Sequence, residues 1–217
     1  MNTFKIDNYQ IIDNYNFDTQ AGLTVLVRGD LVYRDLFLHE SGRLISLKVQ
    51  HIGIIAAYAK SGSQHAVERN IFFYNVLAAE LHKYHNYPTL VLADMNATRK
   101  LGDSTSGRNM SRALQTIFAD FNLIDMWETL HPGLAGHSYF YPKGSSRIDI
   151  IYASQHFRQN FNQISTERLI FSDHLMIRAS IKGAITTHLV SKFHCWMNQF
   201  WKTRNTYFWS TTYGGIT

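Results

Sequence analysis

The sequence predicts a layered α/β or α+β domain, on three observations. Short runs rich in Val, Ile, Leu and Tyr recur along the chain, bounded by Gly or polar clusters. Two longer segments repeat their apolar residues at three- and four-residue steps. Acids and a histidine stand at the ends of the apolar runs, in segments that read as polar loops. Many strands with few helices fit layers packed around one core.

In chain order, strands are expected at 22–28, 44–51 and 53–58. In the second of these, Ile45, Leu47 and Val49 share one face, as in a half-buried strand, while Leu44, Ser46, Lys48 and Gln50 give a mixed opposite face. A helix follows at 68–83, where Phe73, Val76, Leu77 and Leu81 fall on one stripe. Next come a strand at 89–93 and a second helix at 108–121, which repeats Met110, Ala113, Leu114, Ile117, Phe118 and Phe121. Ser104 or Ser106 is placed to cap it. Strands at 148–153 and 175–181 complete the pattern. The connections 97–107 and 131–145 are long and polar, where binding groups often sit. From 183 onward Trp196, Trp201 and Trp209 appear among Thr and Asn without a clear period, which reads as a linker.

The 217 residues suffice for one large domain or two small ones, and a hydrophobic content of 45% supports a sizeable core. A charged content of 17% argues against disorder. The net charge of +5 and a pI near 9.3 favour polyanionic partners such as nucleic acid. No block of like charges stands out, so a basic surface has to be assembled by folding. The single cysteine, Cys195, excludes an internal disulfide framework and fits a reducing compartment. No apolar run reaches bilayer-spanning length, and MNTFKIDNYQ lacks the apolar core of a signal peptide. The expectation is an intracellular protein, nuclear if genomic DNA is its substrate, with no membrane partner.

Three segments carry the chemistry. In LVLADMNAT (90–98), Asp94 and Asn96 are two apart at a strand end and can face one cleft. A carboxylate there can orient and deprotonate water, and an amide can hold a phosphate oxygen; an Asx turn closing the strand is the plain alternative. In SRIDIIYAS (146–154), Asp149 can fix a histidine tautomer, although an Arg147–Asp149 pair on an edge strand would look the same. In FSDHLMI (171–177), Asp173 offers the oxygen that a hydrated Mg2+ ion prefers, and His174 suits phosphate binding or proton transfer. Tyr58 ends a strand before a Ser/Gly loop and can donate to a phosphate, and GHSYFYPKGSSR adds Ser138 and an aromatic run.

As an ordered set, Tyr58, Asp94-x-Asn96, the aromatic run, Arg147-x-Asp149 and Ser-Asp173-His174 resemble the endonuclease/exonuclease/phosphatase superfamily. The chain looks most like the apurinic-type endonuclease domain of non-LTR (LINE-like) retrotransposons. AGLTVLVRGDL resembles that family's early strand, ERNIFFYNVLAAEL its first long helix, and FNLIDMWETLHPGLAGHSYFYPKGSSRIDIIYAS its late segment; the likeness runs from about residue 8 to 181. It implies a four-layered α/β sandwich of two packed mixed sheets flanked by helices, Mg2+ or Mn2+ as cofactor, DNA as partner, and hydrolytic nicking that leaves a 3′-hydroxyl. Carried over by position, Asp94 holds the attacking water and Asn96 binds phosphate or supports the metal site. Tyr58 contacts the scissile phosphate, Asp149 orients His174, and His174 stabilises the phosphorane-like transition state. Asp173 supports the metal or the leaving-group side, while Ser138 and Arg147 lie in DNA-contacting positions. CWMNQFW resembles the segment that leads to reverse transcriptase in these elements, which divides the chain into a domain at 1–182 and a tail at 183–217.

The chain also departs from that pattern. It lacks the family's Trp-Asn-x-Asn-Gly-like first strand and the Gln-Glu strand whose Glu is the principal metal ligand. Glu40, in HESGR, reads as a hairpin turn. Ala93 stands for the usual Gly, Met95 for Phe and Lys60 for Pro. The resemblance thus implies a sandwich missing its first strands, with an exposed sheet edge. It leaves two rivals to nicking: a non-catalytic remnant that binds nucleic acid weakly, and a phosphatase acting on a small phosphodiester.

Overall fold

The computed structural model describes residues 7–18, 21–107, 110–168 and 172–182, and for 191–200 and 204–213 the strand course alone. In order come β1 (Tyr9–Asn16), β2 (Ala21–Arg28), β3 (Tyr33–Leu38), β4 (Leu44–Val49) and β5 (Ile52–Tyr58). Helices α1 (Ala66–Phe72) and α2 (Ala78–Lys83) follow, joined by a π-helical turn at Phe73–Leu77. Then come β6 (Thr89–Asp94), α3 (Arg112–Asp120), β7 (Ile124–Asp125), α4 (Met126–Leu130), the hairpin β8 (Tyr139–Tyr141) with β9 (Gly144–Ser146), and β10 (Asp149–Ala153). The last strands are β11 (Phe161–Arg168), β12 (Leu175–Lys182), β13 (Ser191–Phe200) and β14 (Arg204–Tyr213).

Two six-stranded mixed sheets result. The first has the order β1-β2-β14-β13-β12-β11 and the second β3-β4-β5-β6-β10-β7. The period-two pattern decides what lies between them. Leu23, Val25 and Val27 of β2 meet Ile45, Leu47 and Val49 of β4, Ile54 of β5, Leu90 and Leu92 of β6 and Ile151 of β10 in the core between the sheets. The alternate residues Ile55, Val91, Ala93, Ile150 and Tyr152 face the other way and pack under the helices with Phe73, Leu77, Leu81, Leu114, Ile117 and Phe118. The ring of Phe118 stacks on that of Tyr152 with centroids 4.3 Å apart. The central strands of the second sheet are therefore buried on both faces, which is why they read as near-continuous apolar runs. β4 was expected to be half buried. Instead Leu44 and Ser46 are covered as well, and Ser46 donates to the buried Glu80 of α2 at 2.5 Å.

Helices α1–α3 form the third layer, on the second sheet. The second helix starts at Arg112, and Arg108 lies outside the described residues. Its cap is Ser111, whose hydroxyl accepts from the Leu114 amide at 3.2 Å. Ser104 and Ser106 are not its caps: Ser104 is bridged to Ser146, and its hydroxyl and that of Ser106 lie 3.1 Å apart. Glu40 sits in the β3–β4 turn, as the sequence predicts. Gly42 closes that turn with φ 71°, where a Cβ would lie 2.7 Å from the Asn16 nitrogen.

Part of the segment beyond 182 runs as strand in the first sheet. β14 lies parallel to β2, with Asn205 opposite Leu23, and β13 lies antiparallel to β12, with Met197 opposite Ile177. These strands occupy the middle of the first sheet, between β2 and β12. Segment 183–190 and Trp201 lie outside the described residues. No helix among the described residues is long and apolar enough to cross a membrane.

Candidate active site

The site grows from one register. β5 and β6 run parallel with Tyr58 opposite Asp94, and β6 and β10 run antiparallel with Asp94 opposite Asp149. Three functional side chains are thus set side by side at the ends of adjacent strands. The β8–β9 hairpin closes the arrangement. The Phe140 amide donates to the Asp173 carbonyl at 3.0 Å, the Leu175 amide donates to the Ser138 carbonyl at 2.6 Å, and Tyr139 is bridged to His174. Asp173 and His174, distant in sequence, are tied by these backbone bonds to the mouth of β6 and β10.

Asp149 and His174 form a buried pair. His174 Nδ1 lies 2.7 Å from Asp149 Oδ2, and both side chains are less than a tenth exposed. Burial works against a charge on His174, but the Asp149 carboxylate outweighs it, aided by Asp94 and Asp173, and pushes the imidazole pKa up to about 9. At neutral pH the ring is an imidazolium that donates from Nδ1 to Asp149 and presents Nε2 as a second donor. Asp149 is anchored from behind: its amide donates to the Ser138 hydroxyl at 3.1 Å.

Asp94 is 1% exposed. Asn96 wraps onto it, its backbone amide donating to Oδ1 at 2.9 Å and its side-chain amide to Oδ2 at 3.2 Å. The same side-chain nitrogen reaches the Ala59 carbonyl at 2.8 Å. This requires the left-handed backbone that Asn tolerates, and Asn96 has φ 45°. The Asx turn offered as the plain alternative is therefore present, and it holds the acid in place. Ligand atoms of Asp94, Asp149 and His174 all lie within 4.8 Å of one another. Tyr58 stands beside Asp94, half-buried, with the Arg43 guanidinium 5.1 Å from its ring centroid. Burial and the Asp94 charge both raise its pKa, keeping the phenol protonated as a donor.

Of the residues anticipated, Asp94, Asn96, Asp149, His174 and Tyr58 come together. Asp173 adjoins His174 but is exposed and lies outside the Asp94–Asp149–His174 group. Ser138 and Arg147 need correction as DNA contacts. Ser138 is 0% exposed, and its hydroxyl is held by the Asp149 amide. Arg147 is 4% exposed, with its guanidinium spent on Asp103 at 2.8 Å and Asp125 at 2.7 Å. Arg147 and Asp149 are both buried, so the surface Arg–Asp pair is not found either.

Sequence reasoning also missed residues. Tyr139 covers His174, with ring centroids 4.7 Å apart, and the signal lay within the YFY run. Arg43 reaches the site, over the Tyr58 ring, from a segment without a motif.

Two packed mixed sheets, with an acid–histidine group at paired strand ends, define a DNase I-like α/β fold. Solved structures place the chain within that fold. A 3′ phosphatase, NExo, from Neisseria, bound to a product DNA hairpin, matches with TM-score 0.62 and 18% identity, over 73% of this chain and 74% of that one. An AP endonuclease from Archaeoglobus fulgidus matches with TM-score 0.65 and 15% identity, over 80% and 79%. The endonuclease domain of TRAS1, a telomere-specific non-LTR retrotransposon, matches with TM-score 0.57 and 10% identity, over 83% of each chain. No family model and no curated protein matches the sequence.

Proposed function

We propose that the chain is a metal-dependent phosphodiesterase that nicks DNA, akin to retrotransposon endonucleases. The carrying observation is the buried His174–Asp149 pair within 4.8 Å of the Asp94 carboxylate. Nicking forms a bond from a water oxygen to phosphorus and breaks the bond from phosphorus to the 3′-oxygen. Asp94, its plane fixed by two Asn96 N–H groups, orients the water and takes its proton. His174, charged at neutral pH and aimed by Asp149, donates from Nε2 to a non-bridging oxygen as negative charge builds on it. Tyr58 donates its phenol to the same phosphate. The Arg43 Nη1, buried without a hydrogen-bond partner, supplies a further donor that a phosphate oxygen would satisfy. Solvent returns a proton to the departing 3′-oxygen.

The donor set fits a hard divalent cation, because carboxylate oxygens suit Mg2+ or Mn2+. Asp94 and Asp149 would hold it, with Asp173 at the rim, and when bound it supplies charge neutralisation at the phosphate. The basic composition and the DNA-bound likeness support DNA as partner.

The test is nicking of supercoiled plasmid in Mg2+, with EDTA and His174→Ala as controls. Nicking abolished by both is the expected result. A folded protein that leaves the plasmid intact, or nicks it equally well as His174→Ala, overturns the proposal. Hydrolysis of bis(4-nitrophenyl) phosphate without nicking would instead assign the site to a small phosphodiester.

A further inference from the structure

A second polar cleft, of about 480 Å3, opens between α1 and the segment leading into α3. Ser63, Arg69, Asn70, Ser111 and Arg112 line it together with Met110, and no Asp or Glu does. Arg69 is buried at 4% exposure yet forms no ion pair among the described residues. Its Nη1 is held by the carbonyls of Lys60 at 2.9 Å and Gly62. Burial works against its charge and the Asp94 carboxylate of the neighbouring site favours it, so the guanidinium gives this cleft a positive wall. Arg112, on the first turn of α3, is exposed and likewise forms no ion pair among the described residues.

The cleft adjoins the candidate active site through both of its walls. The carbonyls that Arg69 grips belong to the loop leaving Tyr58. The Ser111 amide donates to the Thr98 carbonyl at 2.9 Å, two residues beyond Asn96. The Ser111 hydroxyl donates to Asn70 Oδ1 at 3.1 Å and so ties the two walls together. A nucleic-acid strand that places one phosphate at Tyr58 and Asp94 carries its next charges past this loop pair, and phosphate contacts of this kind set register rather than read sequence.

We propose that this cleft is a phosphate subsite, taking a phosphodiester neighbouring the scissile one, with Arg69 and Arg112 as its cations. The inference rests on the DNA-nicking reading for the identity of the ligand. The experiment is fluorescence anisotropy of a labelled DNA duplex in EDTA, titrated over a series of salt concentrations. The wild-type chain is compared with Arg112→Ala and with Arg158→Ala, the latter removing an equal charge from an exposed site beyond the far end of β10. Arg112→Ala should weaken binding about tenfold and lower the slope of log affinity against log salt by about 0.9, while Arg158→Ala stays within about twofold. Equal effects of the two substitutions, or no binding by the wild-type chain, overturn the subsite. Because binding is read without metal, a chain that binds through Arg112 but does not nick upholds the subsite and overturns the nuclease reading. Nicking with equal binding by both variants does the reverse.

Discussion

Two buried charged groups lie two residues apart on the same stretch of chain, and they differ in what they leave over. Around Arg147 the charges close on themselves. Its guanidinium meets Asp103 and Asp125, Tyr152 donates to Asp125 at 2.9 Å, and Arg99 lies 3.7 Å from Asp125. Glu128 meets Arg99 at 2.6 Å and Lys100 at 2.5 Å, so three acids are matched by three cations. Burial opposes the Arg147 charge, but Asp125 and Asp103 outweigh it and raise its pKa further. Around Asp149 two carboxylates and one imidazole bring ligand atoms within 4.8 Å of one another, beside the guanidinium of Arg69, whose charge Asp94 favours. A balanced, sealed cluster is a brace. A cluster that gathers carboxylate oxygens and an imidazole nitrogen within 4.8 Å is a place for a cation and a phosphate.

Breaking each cluster should give opposite signatures. The largest expected effect is on turnover: Asp149→Asn and His174→Ala should each lower nicking by about 10²–10⁴-fold, and the double variant should lose little more. Additive losses in the plasmid assay would separate the two residues. Next comes stability. Arg147→Ala leaves Asp103 and Asp125 buried without their cation and should cost about 3–5 kcal/mol in urea unfolding; a loss below about 1 kcal/mol would show that the brace is dispensable.

The pH dependence sharpens the contrast. In metal-free protein the folded-state pKa of His174 is raised to about 9 from 6.5. A raised pKa gives stability that is fully present below about 6.5 and lost as pH rises through about 9. The stability gap between wild type and His174→Gln should therefore shrink across that window in EDTA, and a gap that widens would reverse the assignment. The smallest effect expected is at the helix cap: Ser111→Ala should cost about 1 kcal/mol through the lost bond to the Leu114 amide.

Much of the second sheet was legible because its strands are buried on both faces and carry unbroken apolar runs. The strands expected at 44–51, 53–58 and 89–93 are β4, β5 and β6, although the chain already turns at Gln50 and His51 after β4. The missed strands are polar or solvent-facing. β1 reads YQIIDNYN, and its Asn14 is spent on the carbonyls of His39 and Leu44 rather than on a core. β11 reads FNQISTER and buries little beyond Ile164. In the tail, Phe193, Cys195 and Met197 alternate with Lys192, His194 and Trp196, a period of two that the aromatic content obscured.

The site residues were legible one at a time because each ends an apolar run. Their assembly was not, since the Tyr58–Asp94–Asp149 register and the hairpin bonds to Asp173 and His174 are long-range. Arg147 misled for the same reason. Nothing local shows that Asp103 and Asp125 fold over it.

The most direct test of the contrast is Mn2+ binding followed by electron paramagnetic resonance on wild type, Asp94→Asn and Asp125→Asn, each shown to be folded. One Mn2+ bound by wild type and Asp125→Asn but lost in Asp94→Asn is the result expected. Equal binding by all three, or none by the wild-type chain, would contradict the assignment of the Asp94–Asp149–His174 group to a metal-dependent site.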